Sequence, residues 1–236
     1  MTFDGKQVLV VGGSSGIGEA AAHAFAARGA AVTIVSRNAR KLAESAARIG
    51  HEVRTAALDI TDDDAVRAWL DAAGAFDHVV VSAAQTATGP VRGLDLKDAQ
   101  AAMDSKFWGA YRVARAVQVR EGGSLTFVSG FLSVRPSGAS VLQGAINAAL
   151  EALARGLALE LAPVRVNTVS PGLIATPLWS KLDAAAREKL YEGAAGRLPA
   201  RRVGQPEDVA NAIVYLASTP YATGSTVLVD GGGAIA

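Results

Sequence analysis

The chain has 236 residues, half of them hydrophobic and 19% charged, with a formal net charge of +1 and no cysteine. That length suits one large α/β domain better than two small ones, and the composition argues against disorder. A charge near zero without a basic tract argues against a nucleic-acid partner, and the missing cysteines exclude disulfides, thiol catalysis and thiolate metal sites.

The amino-terminal MTFDGKQ lacks a cationic region followed by an apolar one. Apolar runs throughout are far shorter than a membrane span. A soluble, cytoplasmic protein with no membrane partner and no metal site is expected.

The first element is Val8–Gly18, VLVVGGSSGIG, four aliphatic residues that turn abruptly into glycine and serine. Such a run suits a strand buried on both faces. The Ala-rich segment that follows, to Ala27, has helical spacing. Strand, glycine turn and helix in that order form a pyrophosphate site, because free N–H groups and the positive end of the helix dipole face a loop without β-carbons. Gly12, Ser14, Ser15, Gly16, Ile17 and Gly18 are its candidate residues.

Six more strands are predicted at Ala31–Ser36, Val53–Leu58, His78–Ser82, Ser124–Ser129, Val164–Val169 and Thr226–Val229. Helices are predicted at Gly16–Ala27, Asn38–Ile49, Asp62–Ala73, Leu96–Val119, Ser140–Leu161 and Pro206–Leu216. The alternation predicts a single doubly wound Rossmann-type domain over 1–236, a mostly parallel seven-stranded sheet with helices on both faces. Ligands of such sheets bind beyond the carboxyl ends of the strands.

After the second strand stand Ser36 and Arg37, where a carboxylate would accept the ribose hydroxyls of NAD. A guanidinium there pairs with a 2′-phosphate instead, which favours NADP(H) over NAD; the alternative is a solvated residue at a helix start. After the third strand, Asp59 is placed to accept the adenine amine and Ile60 to cover the ring, although Asp59 also suits a helix-cap loop.

The carboxyl half carries Arg165-Val-Asn-Thr-Val-Ser-Pro171-Gly172, then Ile174 and Thr176-Pro177, then Arg202-Val-Gly-Gln-Pro206-Glu-Asp208 and Val229-Asp230-Gly-Gly. With the glycine loop, these resemble the motifs of the short-chain dehydrogenase/reductase family over nearly the whole chain. The resemblance implies nicotinamide and phosphate contacts from Pro171, Gly172, Ile174 and Thr176, and adds Ala83 and Ala84 in the loop Ser82-Ala-Ala-Gln85, where the family has NNAG. It also implies a small-molecule carbonyl or alcohol substrate and a homo-oligomer, dimer or tetramer. The small residues Ala145, Ala148, Ala149, Ala152, Gly156 and Ala158 would permit close approach there, or packing on the sheet.

The same resemblance assigns the family's proton-transfer residues to positions that here hold something else. The run Asn147–Leu153 aligns with the family's lysine-led segment, so Asn147 takes the lysine position and Gln143, four residues earlier, the tyrosine position. Gly130 takes the serine position, and Lys106 the asparagine position on the preceding long helix. No tyrosine lies between Gly122 and Leu190, so realignment does not restore the pair. An amide is a poor Brønsted acid, so Gln143 does not replace the tyrosine. Asparagine and lysine look exchanged between facing helices. Lys106 is therefore the candidate cation and proton donor, with Gln143 and Ser129 expected to hydrogen-bond the substrate oxygen; the alternative is that Lys106 reaches out to solvent and touches nothing. The span at about 177–201 resembles the family's helical substrate lid, with Trp179 and Leu182 on its underside.

Overall fold

The computed structural model describes residues 2–50, 52–85 and 87–236. Seven strands form one sheet: β1 Gln7–Val11, β2 Ala31–Ser36, β3 Arg54–Ala57, β4 Phe76–Val81, β5 Val119–Val128, β6 Arg165–Pro171 and β7 Thr226–Val229. Their order is β3-β2-β1-β4-β5-β6-β7, and every neighbouring pair is parallel. The order reverses between β1 and β4, which opens a crevice at their carboxyl ends.

Adjacent residues of β1 point to opposite faces and enter different cores, as the two-residue period requires. Val8 and Val10 pack with Phe25 of α1 (Gly16–Ala26), Leu42 of α2 (Ala39–Ile49) and Ile213 of α8 (Pro206–Ser218). Leu9 and Val11 join the other core, with Leu70 of α3 (Asp63–Ala73), Val113 of α5 (Gly109–Ala116) and Leu150 of α6 (Val141–Glu160). β4 and β6 are buried along their full length, which explains their lack of polar alternation.

The predicted helix Leu96–Val119 is three pieces. α4 (Leu96–Met103) runs into a widened turn of π-helix at Asp104–Trp108, where the Gly109 N–H donates to the Asp104 carbonyl, and α5 follows. Helix geometry ends because Val117 turns extended, the Phe76 N–H donates to the Gln118 carbonyl, and Val119 pairs with Phe76 as the start of β5. π-turns inside helices occur often at functional sites. This one carries Lys106.

The span 177–201 forms a 3₁₀ turn at Pro177–Lys181 and α7 at Ala184–Arg197, capped by Asp183. Among the described residues no helix is long and apolar enough to cross a membrane.

His78 of β4 is 6% exposed, hydrogen-bonded through Nδ1 to the Ser124 hydroxyl and stacked on Phe25. Burial, with the nearby Arg165, lowers its pKa from 6.5 to about 4. Between those values the unfolded chain binds a proton that the folded chain rejects, so stability falls as pH drops through the window. Urea unfolding is expected to show a loss of about 1–2 kcal/mol between pH 7 and pH 5 from this residue. A His78→Phe variant should lack that increment, and an unchanged pH slope would contradict the assignment.

Candidate active site

The glycine loop leaves β1 at Gly12 and enters α1 at Gly16. Gly12 has φ +92, and a β-carbon there would lie 2.5 Å from the Ala83 backbone nitrogen. At Gly18 a β-carbon would lie 2.3 Å from the Gly12 carbonyl oxygen, so the first turn of α1 closes tightly over the loop. Ser15 is the N-cap residue, but its hydroxyl makes no capping bond, and the first-turn N–H groups of Gly16, Ile17 and Gly18 precede the intrahelical ladder. Ser14 is partly buried between these anchors. Thr176 stands against Gly16, its Cβ 3.3 Å from where a Gly16 β-carbon would be. The arrangement is an anion cradle: free N–H groups, a helix dipole and two hydroxyl residues around an opening without β-carbons.

At the far end of the crevice, the Ser36 hydroxyl is buried without a partner, and Arg37 is exposed. The Arg37 guanidinium donates to Gln85 Oε1 at 2.7 Å, joining the loops that follow β2 and β4. Asp59 Oδ1 accepts from the Thr61 N–H and hydroxyl at 3.0 and 2.9 Å. Burial raises its pKa, but those two bonds with Arg37 and Arg112 outweigh it and hold the carboxyl below its ordinary value. Ile60 is 6% exposed and packs on Gly109, so its side chain belongs to the core rather than standing open over a ring. Ala83 is partly buried beside Gly12, and Ala84 is exposed.

Beyond β6, Gly172 lies so close to Asp230 that a β-carbon would come within 2.7 Å of its Cα. Pro171 ends the strand. Ile174 bridges to Gly204, and its carbonyl accepts from the Trp179 indole N–H at 2.9 Å, which ties the 3₁₀ turn to the strand end.

The polar centre lies between the π-turn, the end of β5 and α6. The partly buried Lys106 ammonium donates to Asn147 Oδ1 at 2.6 Å and to the Ser129 carbonyl at 2.7 Å. Burial lowers its pKa from 10.5 to about 8, and the Glu151 carboxylate opposes that shift. Gln143, one turn before Asn147, is 8% exposed with Oε1 unpartnered. The Ser129 hydroxyl donates instead to Glu151 Oε1 at 2.8 Å, and the Ser133 hydroxyl donates to the same oxygen at 2.7 Å. Two surface clefts of about 670 and 490 Å³ lie away from these residues, the smaller beside Ser15, Gly16 and Pro177.

The family model described as enoyl-(acyl carrier protein) reductase matches residues 11–233. D-erythrulose reductase of Gallus gallus is 32% identical over 245 aligned residues, covering 98% of this chain and 97% of that protein. The chain belongs to the short-chain dehydrogenase/reductase family. A small-chain dehydrogenase crystallised with NADPH is 35% identical and superposes with a TM-score of 0.86, over 99% of this chain and 100% of that one. L-Sorbose reductase from Gluconobacter frateurii, crystallised with NADPH and L-sorbose, is 28% identical with a TM-score of 0.91, over 100% of this chain and 99% of that one.

Within this short-chain dehydrogenase/reductase chain, the structure brings Lys106 and Asn147 together, as their apparent exchange between facing helices predicts. Lys106 does not run out to solvent. Ser129 corrects the sequence reading: it is 4% exposed, its hydroxyl is committed to Glu151, and only its carbonyl faces the ammonium. Tyr111 is 42% exposed and packs edge-on to Trp108. Three further residues shape the site, of which Gly13 and Glu151 were not singled out from the sequence. Gly13 is buried against Ile34, and its carbonyl accepts from the buried Ser45 hydroxyl at 2.9 Å, which pins the loop to α2. Glu151 follows Asn147 by one turn on a largely apolar helix, and that spacing was the available signal. Gly130 is the third.

A β-carbon at Gly130 would lie 2.7 Å from Asn147 Nδ2. The Asn147 amide occupies space that glycine leaves open, and the backbone at φ +159 independently favours glycine at this position. Gly130→Ala is expected to cost about 1–3 kcal/mol in urea unfolding, and Asn147→Ala should relieve only the part due to the steric contact in a double-mutant cycle, the backbone strain at φ +159 remaining. Additive effects of the two substitutions would contradict that coupling.

Proposed function

We propose that the protein is an NADP-dependent oxidoreductase that reduces a small, mainly apolar carbonyl compound, or oxidises the matching alcohol, with Lys106 in place of the family's tyrosine as proton donor. The observation that carries this reading is the Lys106 ammonium held by two acceptors from different elements, with one N–H left for a substrate oxygen. A cation pinned in this way needs little reorganisation as charge develops on that oxygen.

The cradle fits the dinucleotide. Gly12–Gly18 and Thr176 would hold the pyrophosphate, Ser36 and Arg37 the adenosine ribose and its 2′-phosphate, and Pro171, Gly172 and Ile174 the nicotinamide end. Asp59 and Ala83–Ala84 would flank the adenosine, with Ile60 supporting from the core. Bound NADPH supplies a hydride to the carbonyl carbon. The oxygen that gains charge accepts a hydrogen bond, then the proton, from Lys106, while Asn147 and the Ser129 carbonyl hold the amine in place. Gln143 orients the substrate through its amide, and its unpartnered Oε1 accepts from a substrate hydroxyl or N–H. The turn and helix over 177–201 cover the site as a lid, hinged on the Trp179 bond to Ile174. The NADPH-bound relatives support the cofactor assignment. A second reading, a cofactor-binding protein without turnover, is favoured by one observation only, the amide at position 143. A second copy of the chain is expected on α6, where Ala145, Ala148, Ala152 and Gly156 open outward.

Lys106→Met is expected to lower kcat by about 10²–10⁴-fold in stopped-flow assays, with NADPH affinity by calorimetry nearly unchanged. Retained turnover would end the catalytic role of Lys106. Because reduction needs the ammonium, its rate should fall as pH rises past about 8, whereas oxidation needs the free amine and should fall as pH drops below it. Arg37→Ala is expected to weaken NADPH binding by about tenfold to a hundredfold and leave NADH unchanged. Equal losses for both cofactors would contradict a 2′-phosphate contact.

A further inference from the structure

The carboxyl group of Glu151 is 7% exposed and lies on α6 at the same helical face as Gln143 and Asn147. Two serine hydroxyls donate to a single oxygen, Oε1, an arrangement that leaves the carboxylate with its charge solvated by the protein rather than by water. One of those serines, Ser129, is also the residue whose carbonyl accepts from Lys106. A single residue therefore touches both the ammonium and the carboxylate.

We propose that Glu151 is a positioning residue for Lys106, a buried counter-charge that acts across Ser129 to keep the amine protonated and seated between Asn147 and the β5 end. Other charged groups on the elements around α6 are engaged elsewhere. Asp104, on the same π-turn as Lys106, pairs with Arg112 at 2.8 Å. On β5, Arg120 pairs with Asp77, and on α5, Arg115 faces Asp63. On β6, Arg165 donates to the Leu216 and Ala217 carbonyls beneath α8. Arg155 and Glu160 of α6 itself are exposed, and the 3₁₀ turn Phe131–Ser133 carries no charge. Glu121 of β5 is exposed as well, and Glu151, joined to the ammonium through Ser129, is the buried carboxylate of α6. The opposition between burial and Glu151 at the amine agrees with that geometry.

The inference rests on the proposed function only for its consequence in turnover; the coupling itself is a property of the Lys106 amine. It is tested by NMR titration of ε-¹³C-labelled lysines in the full chain, with the Lys106 resonance identified by its absence in Lys106→Met. In the wild type the resonance is expected to titrate near pH 8. In Glu151→Gln the midpoint should fall by about one pH unit, and in Glu151→Asp by less, because the charge remains but retreats by one methylene. The high-pH limb of carbonyl reduction should move with it. An unchanged midpoint in Glu151→Gln overturns the proposal, and if that variant does not fold, an unchanged midpoint in Glu151→Asp does so. Turnover retained in Lys106→Met would remove the catalytic role of the lysine and leave this coupling standing.

Discussion

The ammonium of Lys106, held between the Asn147 amide and the Ser129 carbonyl, is the contact around which this site is arranged. A charge brought this far from water must be met by acceptors on every side that protein occupies. That requirement explains otherwise unrelated features. The helix carrying Lys106 widens into a π-turn at the residue itself. At position 130, where the backbone has φ +159, the space a side chain would take is filled by the Asn147 amide. A buried carboxylate accepts from a buried and a partly buried serine hydroxyl nearby. Each would be a defect alone. Together they form one hydrogen-bonded network that reaches the amine through Ser129 and Asn147.

Around that centre the glycine-lined crevice is conservative in its physics. Backbone approaches too close for a β-carbon recur at Gly12, Gly18 and Gly172, each at the carboxyl end of a strand or the helix after it. The reversal of strand order between β1 and β4 sets these ends around one crevice. The contrast is between a cradle built mainly from backbone and a polar centre built from side chains. A backbone cradle tolerates sequence change as long as the glycines remain. A side-chain centre, by comparison, is rewritten through coupled substitutions such as Gly130 with Asn147.

Much of this was legible in the sequence, for reasons that differ by element. β2 and β7 have the predicted bounds because short branched runs beside glycine turns are local signals. The break in the helix after Met103 was not legible, since Asp104–Trp108 has the spacing of an ordinary helix and its widening depends on packing. The start of β5 at Val119 was hidden for a similar reason: its pairing with Phe76 is a long-range choice. Lys106 and Asn147 could be joined from the sequence because the two helices face one another in the resembling fold. The direction of the Ser129 hydroxyl could not, because successive strand residues face opposite ways and its partner, Glu151, lies on another element.

The central claim is that a short-chain dehydrogenase/reductase chain with an amide at position 143 still performs hydride chemistry on NADPH. The most direct test is NADPH consumption across a panel of aldehydes, ketones and quinones, run beside calorimetric binding of NADPH and NADH to the same preparation. NADPH is expected to bind more tightly than NADH and to be consumed with at least one small apolar carbonyl compound. NADPH binding with no consumption on any member of the panel would contradict it.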